Sequence, residues 1–240
     1  GSGFWQVTGK VVCQNLIPEY YLFMSSTFAS GVFNPQSVPQ AAMAAYRAGS
    51  QAASDQDFSR AIRYYSDALA FDGTDAVFKA RTHEYRGQCY WLLGEFAAAE
   101  ADYRAALTLC DDLNQIARAR VRLGELADFR GEYETAVSLY QQALEEGNQT
   151  ANLLVIGRAR RGLGIISRKQ GNTDRAVTLL TEALAAFRQA GEAREQARVL
   201  TSLGRTRHAR GEYQHALTNH KEALFILESL HDRWRLVQVL

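Results

Sequence analysis

Small and large apolar residues recur along this chain with a helical beat. In five places an alanine is followed four residues later by a large side chain and three further on by Ala-Leu. The strings are Ala61, Tyr65, Ala68-Leu69; Ala99, Tyr103, Ala106-Leu107; Ala136, Tyr140, Ala143-Leu144; Ala176, Leu180, Ala183-Leu184; and Ala216, His220, Ala223-Leu224. Positions i, i+4, i+7 and i+8 share one face of an α-helix, so each string predicts a helix with one packed face. Twelve residues before each leading alanine stands a glycine: Gly49, Gly87, Gly124, Gly164 and Gly204, separated by 38, 37, 40 and 40 residues. Seven residues after each of these comes Gln56, Gly94, Gly131, Gly171 or Gly211. That spacing reads as a first helix ending on a left-handed residue before a second begins. Each period then holds two antiparallel helices of about 14 to 20 residues, which the glycine and alanines allow to approach closely. Only three prolines occur, at Pro18, Pro35 and Pro39, so the chain beyond them lacks the strongest helix breaker.

This pattern resembles the tetratricopeptide repeat, in its class with periods near 40. The resemblance implies an all-α fold, a right-handed α-solenoid of helix-turn-helix repeats. Five repeats are expected at about 41–73, 74–111, 112–148, 149–190 and 191–230. The sequence departs from the family pattern in three ways. Gln56 replaces a turn glycine, Thr173 replaces the turn aromatic, and the proline that often closes a repeat is missing. Residues 1–40 do not match the repeat. They are rich in aromatics and carry only Lys10 and Glu19 as charges, which predicts a non-repeat segment packed on the apolar face of the first repeat. Val7–Val12 reads as extended and Glu19–Ser30 as helical. His231–Leu240, with Trp234, Leu236, Val237, Val239 and Leu240, reads as the start of a sixth repeat cut short or as a capping helix, and self-association through it is expected. The opening Gly-Ser-Gly lacks a start methionine and reads as a cloning scar, so it carries no weight in the fold.

Net charge is only +1, but it is unevenly spread. Residues 41–154 carry 11 positive and 17 negative groups, whereas residues 155–215 carry 12 positive and 5 negative. Such polarity points to an oriented partner or to end-to-end association. Of the 27 positive residues 23 are arginine, the better side chain for bidentate contact with a carboxylate or phosphate. Cys13, Cys89 and Cys110 are widely spaced and form neither a CxxC pair nor an even framework, as expected of a reducing, cytoplasmic setting. No apolar run approaches the roughly 20 residues of a membrane-spanning helix.

Nothing in the sequence assembles a nucleophile, a base and an orienting group, so no enzyme and no cofactor are expected. His208, His215 and His220 lack the companions and spacing of a zinc site, and no phosphate-binding glycine loop follows a strand. The near-neutral net charge argues against nucleic acid. The chemistry lies in an arginine column. Six residues before the repeat glycines, from the second repeat onward, stand Arg81, Arg118, Arg158 and Arg198. In the resembled family this position lines the concave face of the stack. Equivalent groove positions add Arg122, Arg161 and Arg205, with Tyr85 and Gln88 in the second repeat. Arg118 with Arg122 matches the basic pair of family members that clamp a peptide carboxylate, although the lysine and asparagines of that clamp are absent. The expected function is a scaffold that binds a protein or peptide, acidic or phosphorylated, in the groove. The second expectation is a sensory or autoinhibitory module of a larger bacterial signalling or transcription regulator. The same arginines could instead pair with acids on neighbouring helices and fix the stacking.

Overall fold

The computed structural model describes residues 38–230. The expectations for the aromatic N-terminal segment and for His231–Leu240 fall outside the described residues. Ten α-helices and no strand appear among those residues: α1 Gln40–Ser54, α2 Phe58–Ala70, α3 Ala76–Leu92, α4 Phe96–Thr108, α5 Leu113–Arg130, α6 Tyr133–Gln149, α7 Leu153–Lys169, α8 Thr173–Gln189, α9 Ala193–Ala209 and α10 Tyr213–Ser229. The odd-numbered helices carry the repeat glycines and the even-numbered ones the alanine strings. Successive helices pair most closely as α1/α2, α3/α4, α5/α6, α7/α8 and α9/α10.

The short links follow from backbone chemistry. Gly94, Gly131, Gly171 and Gly211 all adopt φ between 78° and 83°, the left-handed region that costs glycine nothing. At the α5–α6 link, the amide of Gly131 donates to Asp128 O at 3.1 Å and that of Glu132 to Ala127 O at 2.9 Å, so two of the four orphan carbonyls at the end of α5 are satisfied. Gln56 holds the same conformation with φ 64° and an exposed side chain. The turn thus forms without its glycine, at a steric cost. Gln56→Gly is therefore expected to stabilise the first hairpin by about 0.5 to 1 kcal/mol, read as a higher urea midpoint. An unchanged or lower midpoint would show that the turn carries no such strain.

The molecule divides into two units. Unit 1, described from Val38 to Cys110, contains α1–α4, and unit 2, from Asp111, contains α5–α10. The interior of unit 1 is aromatic. Tyr46 meets Phe78 at 5.5 Å between ring centroids, and Tyr65 stacks on Tyr85 at 6.3 Å with 21° between the planes. In unit 2 each second helix packs on the next first helix, α6 on α7 and α8 on α9. The first helices also touch one another, α5 with α7 and α7 with α9. The second helices make no comparable contact, so within unit 2 the first helices form the more closely packed side of the stack.

The glycine and large-residue columns interlock. A Cβ added at Gly49, Gly87 or Gly124 would lie 2.8 Å from the ring of Tyr65, Tyr103 or Tyr140 of the same hairpin. At Gly164 it would lie 2.8 Å from Leu180 Cγ, and at Gly204 it would lie 2.5 Å from His220 Nε2. The glycine is therefore a socket for the large side chain on the partner helix. His220 is the weakest plug. Its Nδ1 is buried without a hydrogen-bond partner among the described residues, and burial, with Arg205 and His208 nearby, lowers its pKa.

Candidate partner-binding face

Arg118 and Arg122 lie one turn apart on α5 and Arg158 and Arg161 one turn apart on α7, while Arg198 and Arg205 lie two turns apart on α9. Because α5, α7 and α9 lie side by side, these positions share one face of unit 2. The structure places Arg118, Arg122, Arg158, Arg161 and Arg198 below the surface, each no more than 6% exposed, and leaves Arg205 half-buried.

Two glutamates that sequence reasoning missed join them. Glu125 on α5 accepts from Arg122 Nη1 at 3.1 Å and from Arg161 Nη2 at 3.0 Å, tying α5 to α7. Glu195, in the first turn of α9, accepts from Arg158 Nε at 2.9 Å and from Arg198 Nη1 at 3.2 Å, tying α7 to α9. Both carboxylates are buried. Burial alone would raise the Glu195 pKa, but Arg198, Arg158 and Arg161 outweigh it and hold the carboxyl well below the usual range. For Arg158 the balance runs the other way. Burial lowers its pKa, Glu195 raises it, and the like charges of Arg122 and Arg118 lower it further. Five guanidinium groups therefore sense one another around two carboxylates. The signal for both acids was in the sequence: Glu125 lies three residues after Arg122 and Glu195 three before Arg198, spacings that share a helix face. At the far end of α7, Lys169 Nζ donates to Asp128 at 2.7 Å and sits 5.3 Å from the centroid of the Tyr133 ring.

In unit 1, Arg81, Tyr85 and Gln88 lie along α3 and are buried. Tyr85 belongs to the aromatic interior, and Gln88 Oε1 has no hydrogen-bond partner among the described residues. A second polar cluster, not anticipated, joins α3 to α2 and α4. Arg86 forks onto Asp102 at 2.8 and 2.7 Å and donates to Ser66 Oγ at 2.9 Å, while His83 Nδ1 lies 2.8 Å from Asp102. Burial opposes ionisation of Asp102, yet Arg86 and His83 lower its pKa overall. Among the described residues no group of three His, Cys, Asp or Glu side chains could hold a metal ion, and no helix is long and apolar enough to cross a membrane.

The profile described as "Tetratricopeptide repeat" matches residues 78–145 and 155–229, more than half of the chain. The chain belongs to the tetratricopeptide repeat family. A curated relative of this tetratricopeptide repeat chain, Tetratricopeptide repeat protein 21A of Mus musculus, is 34% identical over 103 residues. That match covers 42% of the chain but only 7% of the relative's length. Among solved structures, the Rap conjugation gene regulator of plasmid pLS20, in complex with the Phr* peptide, is similar with a TM-score of 0.73 and 15% identity, covering 81% of this chain and 55% of its own. A Rap protein complexed with competence and sporulation factor gives a TM-score of 0.71 at 17% identity, over 81% and 56% of the two chains. PilF of Pseudomonas aeruginosa gives 0.59 at 18% identity, over 83% and 89%. At such identities the likeness is one of fold: helical tetratricopeptide repeats in stacked hairpins.

Proposed function

We propose that this tetratricopeptide repeat chain is a non-enzymatic interaction scaffold whose first-helix face in unit 2 takes an acidic peptide or loop of a partner protein. The observation that carries the reading is the gathering of Arg118, Arg122, Arg158, Arg161 and Arg198 from three neighbouring helices onto one face with Glu125 and Glu195, with Arg205 at the margin. Guanidinium forks on rigid helices recognise carboxylate or phosphate oxygens bidentately, and they do so at a cost that neutral side chains would not impose if stacking were their only task. A Rap structure of similar fold holds the Phr* peptide and another is complexed with competence and sporulation factor, which supports a peptide as the kind of partner. Arg81 and Gln88 of unit 1 are proposed as partner contacts on that unit's own first-helix face, whereas Tyr85, 1% exposed and stacked on Tyr65, lies too deep to serve as one. A cytoplasmic setting and self-association through residues 231–240 belong to the same proposal. The alternative role, a sensory or autoinhibitory module of a larger bacterial regulator, draws its support from likeness to a conjugation gene regulator.

The test is a titration with labelled hexaglutamate and hexalysine peptides. Hexaglutamate is expected to bind, and to bind more weakly as salt is raised, since salt screens the approach of the solvated peptide charges to the arginine face over about 10 Å at 0.1 M. Arg205→Gln is expected to weaken that binding about tenfold, the worth of one charge-assisted contact, while moving the melting temperature little because Arg205 is the most exposed of the set. Equal binding of both peptides, or of neither, would refute the acidic-partner reading.

A further inference from the structure

Glu195 occupies the donors that a partner's carboxylate would need. Its Oε1 lies 2.9 Å from both Nε and Nη2 of Arg158, and its Oε2 lies 3.2 Å from Arg198 Nη1. Arginine takes a peptide carboxylate in the same manner, so an incoming acid and Glu195 compete for one pair of side chains.

The two buried glutamates are alike in chemistry but not in mechanics. Glu125 sits inside α5, held by helix on both sides. Glu195 is the third residue of α9, four positions after Gly191, whose φ of 70° makes the preceding turn. The α9 start also lacks a side-chain cap. Asp112 caps α5 by accepting from Gln115 N at 2.9 Å and Asn152 caps α7 by accepting from Val155 N at 3.2 Å, whereas Glu192 makes no such bond. Ties of the α9 turn to what precedes it include the amide of Glu192 to Phe187 O at 3.0 Å, that of Ala193 to Gly191 O at 3.1 Å, that of Gln196 to Glu192 O at 3.0 Å, and Gln196 Nε2 to Phe187 O at 3.2 Å. A first helical turn without a cap opens at low cost compared with a capped one.

We propose that Glu195 is a built-in competitor for the acidic partner, and so the residue that sets which partners can bind. It seats on Arg158 and Arg198 when no partner is present and leaves with the first turn of α9 when an acidic segment takes its place. This inference rests on the acidic-partner reading of the same face. A tethered carboxylate acts at a high effective concentration, so a ligand with a single acid loses to it, and the site selects segments in which several acids are clustered. Seating of Glu195 also reduces apparent affinity in proportion to the share of molecules that are latched.

The experiment is an anisotropy titration of labelled hexaglutamate against the full chain and three variants. If the latched form makes up about 90% of molecules, Glu195→Gln should bind about tenfold tighter than the unaltered chain. Glu195→Asp, which keeps the charge but shortens its reach, should gain about threefold. Glu134→Gln, an identical charge change at an exposed site on α6, should shift affinity less than about twofold. Peptide binding to the unaltered chain should also speed amide hydrogen exchange across residues 193–197 as the turn is released. Equal affinity of the unaltered chain and Glu195→Gln, or slower exchange at 193–197 on binding, would overturn the latch and leave the acidic-partner reading in place. If Glu195→Gln fails to fold, Glu195→Asp and the exchange measurement decide the matter alone. Failure of every folded form to bind hexaglutamate would overturn both.

Discussion

Truncating Tyr140 to alanine is expected to cost about 3 to 5 kcal/mol and to destabilise unit 2 as a whole. Tyr140 is 2% exposed, and its ring fills the socket at Gly124 on α5. The next hairpin offers a second socket to the same ring, because Gly162 on α7 would also meet it with any added Cβ. One side chain on α6 is therefore gripped by the first helices on both sides, and it shares a buried core with Val121, Ala143, Ala159 and Leu163. Removing it leaves a cavity shared by three helices, which close packing prevents from collapsing without moving the stack. Tyr213→Ala should change stability by less than about 0.5 kcal/mol, since that ring is 65% exposed. Urea unfolding followed by circular dichroism reads both. A Tyr140→Ala cost near that of Tyr213→Ala would mean that the hairpins are held together elsewhere.

The importance of Tyr140 could be read in part from the sequence, and the part that could not has a physical reason. The period from Gly124 to Ala136 to Tyr140 marks a socket and a plug, because glycine in a helix interior is otherwise a costly choice. Gly162 gave no such periodic signal, since no other repeat has glycine two positions before its repeat glycine. Its role emerges only once α6 is seen against α7. Gln56 is the opposite case: the repeat register marked it as a left-handed position despite its side chain, and φ 64° agrees. For the site, periodicity located the arginines but not their surroundings. Arg158 and Arg161 take carboxylates from α9 and α5 respectively, 37 and 36 residues away in sequence. A column names which residues share a face, whereas burial and pairing depend on the rotamers each side chain adopts between helices. The Asp102 cluster was illegible for the same reason, because its partners Ser66, His83 and Arg86 come from two helices and repeat nowhere else.

Changing Arg158 and Arg198 together to glutamine is expected to lower stability at pH 7 by about 3 to 5 kcal/mol, because it strips a buried carboxylate of its two hydrogen-bonded cations. The pH dependence carries the sharper signature. In the unaltered chain the Glu195 pKa is held below that of the unfolded state, which is about 4.3. A carboxyl lowered in this way contributes stability that is present above the unfolded value and is lost as pH falls through the folded one. In the double variant burial is left to dominate and raises the pKa above 4.3, so the sign reverses: Glu195 then favours the fold when protonated, and that contribution disappears as pH rises. The stability gap between variant and unaltered chain should accordingly be smallest where Glu195 is protonated in both folded proteins, widen as pH rises through the low folded pKa of the unaltered chain, and level off above the folded pKa of the variant. Adding Glu195→Gln to the double variant removes the stranded charge, so it should recover most of the loss at pH 7 and flatten the pH dependence of the gap. Melting temperatures of the three proteins across about pH 2 to 7 supply the test. A gap that stays below about 1 kcal/mol at every pH would show that Arg158 and Arg198 do not hold α7 to α9 through Glu195. In that case the cost of binding an acidic partner would lie somewhere other than in displacing this glutamate.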